Sequence, residues 1–288
     1  DLVHIATEGP LSWSALQAAQ ILRLPVTSDF RTNFHSYCQH YGVGWLTKPI
    51  VAYLRKFHNR TAFTMVPTQS MKYQLEAMGF KHLKVVARGV DAQLFNPTQR
   101  SMAQRETWQV GPETIVLLSV GRLAAEKNLD LVVQTYHALK AAGRDVRMVF
   151  AGDGPMRTAI QAKCPDALFV GMCTQQQLSV LYASADLLLF TSLTETFGNV
   201  TLESLACGTP VLAFDCAAAG EFITHTQNGW LAHCDDSHDY IQCALEITKD
   251  KSTLSSARAL AHASVAQLSW DEIANQVETI FHRAIELG

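Results

Sequence analysis

The chain has 288 residues, of which 48% are apolar and 17% are charged. This much apolar sequence excludes intrinsic disorder for the bulk of the chain, and the length favours two domains. The formal net charge of −3 argues against a nucleic-acid partner, because nucleic-acid binders are basic.

Charge and cysteine content add two further expectations. Residues 1–110 carry a formal charge of +6 and residues 111–288 carry −9, so the two halves are expected to face different partners. Seven cysteines without a C-x-x-C pair do not form a disulfide framework, which favours a reducing, cytoplasmic location. No apolar run approaches the roughly 18 residues of a transmembrane helix.

Short apolar runs alternate with helix-length amphipathic stretches along most of the chain. Helices are predicted from Pro10, from Thr47-Lys48-Pro49 and after Asn128, with a periodic last helix at Trp270–Leu287. The alternation predicts a doubly wound α/β fold with parallel sheets. The predicted strands are Leu2–Ile5, Val26–Ser28, Phe63–Val66, Lys84–Ala87, Ile115–Val120, Val146–Ala151, Leu168–Val170, Leu187–Phe190 and Val211–Phe214.

The segment Gly89–Gly111 contains Asn96-Pro97 and few apolar residues. Such a composition is typical of a connection between two α/β units. We therefore expect one unit to end and another to begin within it.

The loop after strand Ile115–Val120 carries Gly121, Arg122 and Lys127 to the start of a helix. Two fixed cations beside a helix N-terminus suit a diphosphate. The alternative is a solvated loop whose charges pair locally.

The loop after strand Val146–Ala151 reads Gly152-Asp153-Gly154-Pro155. Glycines at such a position allow a ligand to approach the backbone closely. The same residues also form a favourable turn for purely conformational reasons, and both interpretations stay open.

The loop after strand Leu187–Phe190 carries two glutamates, Glu195 and Glu203. Glu203 is expected about one and a half turns inside a helix that begins near Phe197, so that both carboxylates border one cavity. Carboxylates accept hydrogen bonds from hydroxyl groups, while a helix N-terminus attracts phosphate. The candidate donor-binding residues between the two glutamates are Thr196, Phe197, Gly198, Asn199 and Val200.

These residues resemble glycosyltransferase family 4, the retaining, nucleotide-sugar-dependent enzymes of the GT-B fold. The Glu-x7-Glu signature of the family matches Glu195 and Glu203, and its diphosphate-binding pair matches Arg122 and Lys127. The resemblance implies two Rossmann-like domains facing each other across a cleft. The first half is similar to the branch of bacterial lipid-directed mannosyltransferases and sulfoquinovosyl-diacylglycerol synthases.

The resemblance also implies roles for single residues. Glu195 would hold hydroxyls of the donor sugar and Glu203 the ribose hydroxyls, while Arg122 and Lys127 would neutralise the diphosphate leaving group. The N–H groups after Phe197 would assist. The chain has no Asp-x-Asp motif, and the two cations supply the charge that a metal would give, so no metal and no cofactor are expected.

On the acceptor side, the candidates are Glu8, Arg31 and His35. Glu8 lies in Thr7-Glu8-Gly9-Pro10-Leu11, which carries part of the resemblance. Many relatives have a histidine where this chain has Arg31, so Arg31 is a candidate facing either the acceptor or the donor. His35, His40 and His58 match no metal-site spacing, and packing or surface roles are expected for them.

The segment 47–63 places Ile50, Tyr53, Leu54 and Phe57 on one helical face. Positive charge lies close by on Lys48, Arg55, Lys56, His58 and Arg60. One interpretation is docking on an anionic membrane, at the inner face of the cytoplasmic membrane. The other is a helix packed on its own sheet with a solvated basic side.

The resemblance implies an acceptor-side domain over residues 1–100, a linker over 101–111, a donor-binding domain over 112–265, and a last helix over 266–288 that returns to the first domain. The chain enters a strand directly after Asp1, so the first domain is expected to lack its beginning. The predicted function is hexose transfer from GDP-mannose or a UDP-hexose to a lipid or glycan hydroxyl. The alternative is a nucleotide-sugar-binding module without turnover; an oxidoreductase is disfavoured because no G-x-G-x-x-G follows a predicted strand.

Overall fold

The computed structural model describes residues 1–31, 47–193 and 197–287, and it divides into two compact units. The first unit comprises the described residues of Asp1–Gly89 and Leu268–Gly288, together with Phe197. The second comprises Val90–Leu193 and Gly198–Gln267. Each unit contains its own parallel sheet.

The sheet of the first unit has four parallel strands in the order β1-β2-β3-β4. Because consecutive strands are neighbours, right-handed crossovers place the connecting helices on one face. Ile5, Leu16, Val26 and Phe57 pack together there, and Leu54 joins a second cluster nearby. The elements are β1 (Val3–Ile5), α1 (Pro10–Ile21), β2 (Val26–Asp29), α2 (Thr47–His58), β3 (Phe63–Val66), α3 (Gln69–Ala77) and β4 (Leu83–Val85).

The last helix of the chain, α12 (Trp270–Leu287), packs in the first unit. Side chains alternate along a strand, so His4 lies on the sheet face opposite to Ile5. The His4 ring centroid is 5.2 Å from that of Phe281. Helix α12 therefore covers the face that α1 and α2 leave open.

The second unit has a six-stranded parallel sheet in the order β10-β9-β8-β5-β6-β7. Its strands are β5 (Ile115–Val120), β6 (Val146–Ala151), β7 (Leu168–Gly171), β8 (Leu187–Phe190), β9 (Val211–Phe214) and β10 (Gly229–Ala232). Its helices are α4 (Met102–Thr107), α5 (Leu129–Ala141), α6 (Arg157–Lys163), α7 (Gln175–Ser184), α8 (Asn199–Ala206), α9 (Ala217–Phe222), α10 (Ser237–Ile247) and α11 (Lys251–Ser264).

The direction of strand addition reverses between β5 and β8. From β5 the chain adds strands towards β7, and from β8 it adds them on the other side towards β10. Helices α5, α6 and α10 pack on one main core, where the Tyr240 hydroxyl donates to the Leu212 carbonyl at 2.9 Å. A reversal of this kind leaves a crevice beyond the carboxyl ends of the two central strands.

Most predicted strands agree with the structure, and five of them have the predicted bounds. Strand β10 was missed because Gly-Trp-Leu-Ala is a short run at the edge of the sheet, where it pairs with β9. Helix α8 begins at Asn199, two residues later than expected, since Gly198 has a left-handed φ of 87°.

The predicted linker over 101–111 contains helix α4, which packs firmly on the second unit. Arg105, only 2% exposed, donates to the Asp186 carboxylate at 2.8 Å and to the Thr114 carbonyl at 2.8 Å. Arg100 and the Val116 N–H, both at 2.9 Å, also bind this carboxylate. The segment has few apolar residues because buried hydrogen bonds, together with Trp108, hold it in place.

Among the described residues, no helix combines the length and the apolar character that crossing a membrane requires.

We predict that Asp186→Ala lowers the free energy of unfolding by about 3–5 kcal/mol, because it leaves the buried Arg105 charge without its partner. Asp130→Ala is the control, since its pair with Lys163 is half exposed and contributes less than about 1 kcal/mol. Urea unfolding of the three proteins measures the difference. Equal urea midpoints for the two variants would contradict a larger stabilising role for the buried Arg105–Asp186 pair.

The difference in unfolding free energy between the wild type and Asp186→Ala also depends on pH. Burial disfavours the Asp186 charge, but the bonds from the Val116 N–H and Arg105 outweigh burial and lower its pKa. A lowered pKa stabilises the folded chain above the ordinary aspartate value of 3.8, and this stabilisation is lost as pH falls below it. The gap between wild type and Asp186→Ala should therefore shrink below that pH.

Candidate functional site

The loop after β5 turns sharply at its two ends. Gly121 has a φ of +143° and Asn128 a left-handed φ of 51°, directly before α5 begins. The Thr191 hydroxyl, at the end of β8, donates to the carbonyls of Lys127 at 2.8 Å and Asn128 at 3.1 Å. The backbone beneath Lys127 is thus held by the neighbouring strand, while Arg122 is exposed.

The loops after β5 and β6 are bonded directly to each other. The Gly121 N–H donates to the Ala151 carbonyl at 3.0 Å, and the Leu123 N–H donates to the Asp153 carbonyl at 2.9 Å. A Cβ on Gly152 would lie 2.0 Å from the Gly121 oxygen. Real Cβ atoms do not come so close to a backbone oxygen, so only glycine at position 152 permits this contact between the two loops.

Asp153 is exposed and already has partners. Its carboxylate accepts from the Gly154 N–H at 2.7 Å and from Arg157 at 2.9 Å. The Gly154 N–H and then Arg157 lower the pKa of Asp153. Asp153 is therefore an anion paired within its own loop and is not placed to neutralise a phosphate.

A small pocket lies at the reversal point of the second sheet. Gly121, Arg122 and Lys127 line it from the β5 side, and Thr191 and Ser192 line it from the β8 side. Doubly wound sheets bind their ligands at this position. The structure therefore brings both predicted cations to one pocket at the expected place.

Helix α8 follows β8 and begins at the same edge of the sheet. Gly198 caps it, Asn199 is its first residue and is exposed, and Val200 is half-buried. Glu203 follows one turn later and accepts a hydrogen bond from the Tyr182 hydroxyl at 2.9 Å. Burial raises the pKa of Glu203, and the Tyr182 bond partly counteracts this.

Tyr182 was missed in the sequence analysis. It is fully buried on α7, 21 residues before Glu203, and no local motif relates the two positions. Among the predicted residues, Glu195, Thr196 and His35 lie outside the described residues. Phe197 is 3% exposed, so its ring is buried.

In the first unit, Glu8 is buried rather than open to solvent. Its Oε1 lies 3.1 Å from His58 Nε2, and His58 Nδ1 lies 2.9 Å from the Ser28 hydroxyl. His58 is fully buried, so its inclusion among the surface cations was wrong. It lies on the apolar side of α2 because Glu8 and Ser28 satisfy both ring nitrogens.

Arg31 lies at the carboxyl end of β2 and binds Asp29. Its Nε donates to Asp29 Oδ2 at 2.6 Å, and His4 Nε2 lies 3.4 Å from the same oxygen. Burial disfavours the Asp29 charge, but His4 and Arg31 outweigh burial and lower its pKa. The candidate Arg31 is therefore part of a charged cluster at a strand end.

The apolar face of α2 is already covered by its own unit. Leu54 and Phe57 are 3% and 0% exposed, and Ile50 packs against the core, whereas Tyr53 is 41% exposed. Lys48, Arg55, Lys56 and Arg60 are exposed. The helix therefore packs on its own sheet with a solvated basic side.

Among the described residues, no group of three histidine, cysteine, aspartate or glutamate side chains is placed to hold a metal ion.

Comparison with known sequence families gives two matches. A family described as glycosyl transferases group 1 matches residues 114–250, and one described as Glycosyltransferase Family 4 matches residues 1–94. HepE from Anabaena, solved in complex with UDP, superposes with a TM-score of 0.83 at 19% identity, over 98% of this chain and 79% of HepE.

Several curated proteins are also similar. A GDP-mannose-dependent alpha-mannosyltransferase of Corynebacterium glutamicum is 29% identical over 96% of this chain and 66% of its own length. The sulfoquinovosyl transferase of Arabidopsis thaliana is 29% identical over 94% and 54%. Alpha-monoglucosyldiacylglycerol synthase of Streptococcus pneumoniae is 27% identical over 85% and 58%.

The two parallel sheets and the superposition on HepE show the GT-B fold, and both family models are those of glycosyltransferases. Within that class, the chain belongs to glycosyltransferase family 4. It spans 54–66% of the length of the three curated relatives.

We predict that Gly154→Ala destabilises the second unit by about 1–3 kcal/mol, because its Cβ would lie 2.4 Å from the Leu123 oxygen. Gly111→Ala is the matched control. Neither glycine has a left-handed φ, and the nearest atom to a Cβ on Gly111 is 4.0 Å away. We expect Gly111→Ala to be neutral or stabilising by up to about 1 kcal/mol. Equal thermal midpoints would show that the loop junction tolerates a side chain.

Proposed function

We propose that this chain transfers a hexose from GDP-mannose or a UDP-hexose to a hydroxyl of a lipid or glycan, with retention at the anomeric carbon. The observation that carries the proposal is the pocket at the β5–β8 reversal, lined by Arg122 and Lys127. Family membership adds the expectation of a nucleotide sugar as donor.

In this proposal the diphosphate binds between the two cations and the N-terminus of α8. Fixed cations and free backbone N–H groups stabilise the charge that builds up as the sugar–phosphate bond breaks. Since Arg122 and Lys127 supply positive charge, we propose a reaction that uses no metal and no other cofactor.

The carboxylates take the hydroxyl-binding role. Glu203 accepts a bond from Tyr182, and its remaining acceptor positions suit the ribose hydroxyls. Glu195 is proposed to hold hydroxyls of the donor sugar. Departure of the diphosphate from the face on which the acceptor attacks would retain the anomeric configuration.

The names of relatives support the donor and acceptor classes. GDP-mannose is in the name of the Corynebacterium protein, and diacylglycerol is in that of the pneumococcal protein. We therefore favour a lipid acceptor over a soluble glycan.

We further propose a cytoplasmic protein that docks peripherally on anionic membrane through α1 and α2. The exposed cations Lys48, Arg55, Lys56 and Arg60 lie on this surface. Leu11 and Ile21 on α1, and Leu22 directly after it, are 83%, 81% and 68% exposed, and Arg60 lies 5.3 Å from the ring of Trp13 on α1. Because the apolar face of α2 is buried, α1 must supply the apolar contact.

Donor hydrolysis by the purified chain tests the site. We expect Lys127→Ala to lower hydrolysis of the preferred donor by about 10²–10³-fold, because the diphosphate leaving group then loses one of the two cations that neutralise it. Lys249→Ala is the control, since Lys249 is exposed and pairs with Glu246.

Two results would contradict this assignment. Hydrolysis unchanged in Lys127→Ala would refute the role of the cation. Thermal stabilisation by GDP or UDP without any donor hydrolysis would favour the alternative, a binding module without turnover.

Membrane docking predicts co-sedimentation with phosphatidylglycerol vesicles that weakens as salt rises, since exposed charges are screened. Lys56→Gln should weaken binding about fivefold, because one cation near an anionic surface contributes about 1 kcal/mol. Leu11→Asp should also weaken it, whereas Leu260→Asp, at a half-exposed leucine of the second unit, should not. Equal binding to phosphatidylcholine vesicles would contradict the electrostatic contribution.

A further inference from the structure

A cavity of about 480 Å³ lies entirely within the first unit, between the carboxyl ends of β2 to β4 and helix α12. This volume is in the range of small-molecule sites. Among the described residues, its lining shares no residue with that of the pocket at the β5–β8 reversal.

The walls of this α12 cavity are largely apolar. Met65 and Val66 line it from β3, Val86 follows β4, and Ile273 and Phe281 lie on α12. Met65, Val66 and Ile273 are less than 9% exposed, so packing in the core fixes the positions of these side chains. Such a surface suits an alkyl chain better than a sugar, which would leave hydroxyls without partners.

One end of the α12 cavity is charged. Asp29, Arg31 and Arg88 line it there, and Asp29 is already bound by Arg31. Arg88 is half-buried and makes no hydrogen bond or ion pair with any described residue. Burial, followed by the nearby Arg31 charge, lowers the pKa of Arg88, and the Asp29 charge only partly counteracts this. A half-buried guanidinium without a partner favours an anionic ligand.

The other polar groups of the lining do not cancel this charge. His4 binds Thr27 at 3.0 Å and faces Asp29. Glu278 is 70% exposed and lies 3.7 Å from His282, so solvent screens it.

We propose that the α12 cavity binds an anionic amphiphile, with the alkyl chain between α12 and the strand ends and a phosphate on Arg88. Identifying this amphiphile as the acceptor lipid rests on the proposed function. Binding itself does not.

Short alkyl phosphates, used below their micellar concentrations, test the proposal by isothermal titration calorimetry. We expect hexyl phosphate to bind about tenfold more tightly than butyl phosphate, because each buried CH₂ strengthens binding by about fourfold at most. Inorganic phosphate, which has no chain, and 1-hexanol, which has no charge, should both bind more weakly than hexyl phosphate.

Two variants locate the site. Arg88→Gln should weaken hexyl phosphate binding about tenfold and leave 1-hexanol binding unchanged, since only a charge-assisted bond is lost. Ala274→Phe fills the cavity from an exposed position of α12 and should weaken both ligands.

Two control variants make the same kinds of substitution at positions that do not line the cavity. Lys81→Gln removes an exposed cation, and Thr279→Phe adds a phenyl group to another exposed position of α12. Both should bind hexyl phosphate as the wild type does. Thermal midpoints near that of the wild type show that each variant is folded.

The proposal is overturned if inorganic phosphate binds as tightly as hexyl phosphate, or if Ala274→Phe and Arg88→Gln bind hexyl phosphate unchanged. Its failure can be distinguished from failure of the proposed function. Donor hydrolysis without alkyl phosphate binding would refute the cavity assignment alone, and the reverse result would refute the transferase assignment alone.

Discussion

The candidate donor site depends on the direct contact between two backbone loops. Gly152 and Gly154 let the loop after β6 approach Gly121 and Leu123 to distances that a side chain would prevent. This contact fixes the loop that carries Arg122 and Lys127. The close packing of the two loops supports the conformational alternative for residues 152–154, whereas close approach of a ligand to this backbone stays a prediction, since the described pocket is lined from the β5 and β8 sides.

Buried polar groups in the second unit position other polar residues and the backbone beside them. Tyr182 holds Glu203, Thr191 holds the backbone of Lys127, and Asp186 binds the segment that precedes β5. Each of these groups is satisfied by hydrogen bonds, so the desolvation cost is offset and the geometry is well defined. Such positioning restricts the motion of charged side chains before any ligand binds.

Much of the fold was predictable because parallel strands are buried on both faces and appear as continuous apolar runs. The runs at 115–120, 146–151, 187–190 and 211–214 gave correct bounds for this reason. In strand β10 the run is only four residues long and begins with glycine, and α4 was not predicted because polar bonds rather than an apolar face hold it. Among site residues, Arg122 and Lys127 were predictable from their place after a strand, and Arg88 also directly follows a predicted strand, whereas Tyr182 reaches Glu203 only through tertiary packing.

The buried chain Glu8–His58–Ser28 has a consequence for the rotation of α2 about its own axis. Apolar packing alone is tolerant of small rotations, because Ile50, Leu54 and Phe57 form a broad stripe. His58 is the last residue of α2, and both of its ring nitrogens must stay in contact with Glu8 and Ser28 on two other segments. Its hydrogen bonds therefore permit only one rotational position of the helix about its own axis. A histidine buried in the core thereby determines which way the lysines and arginines of the helix point.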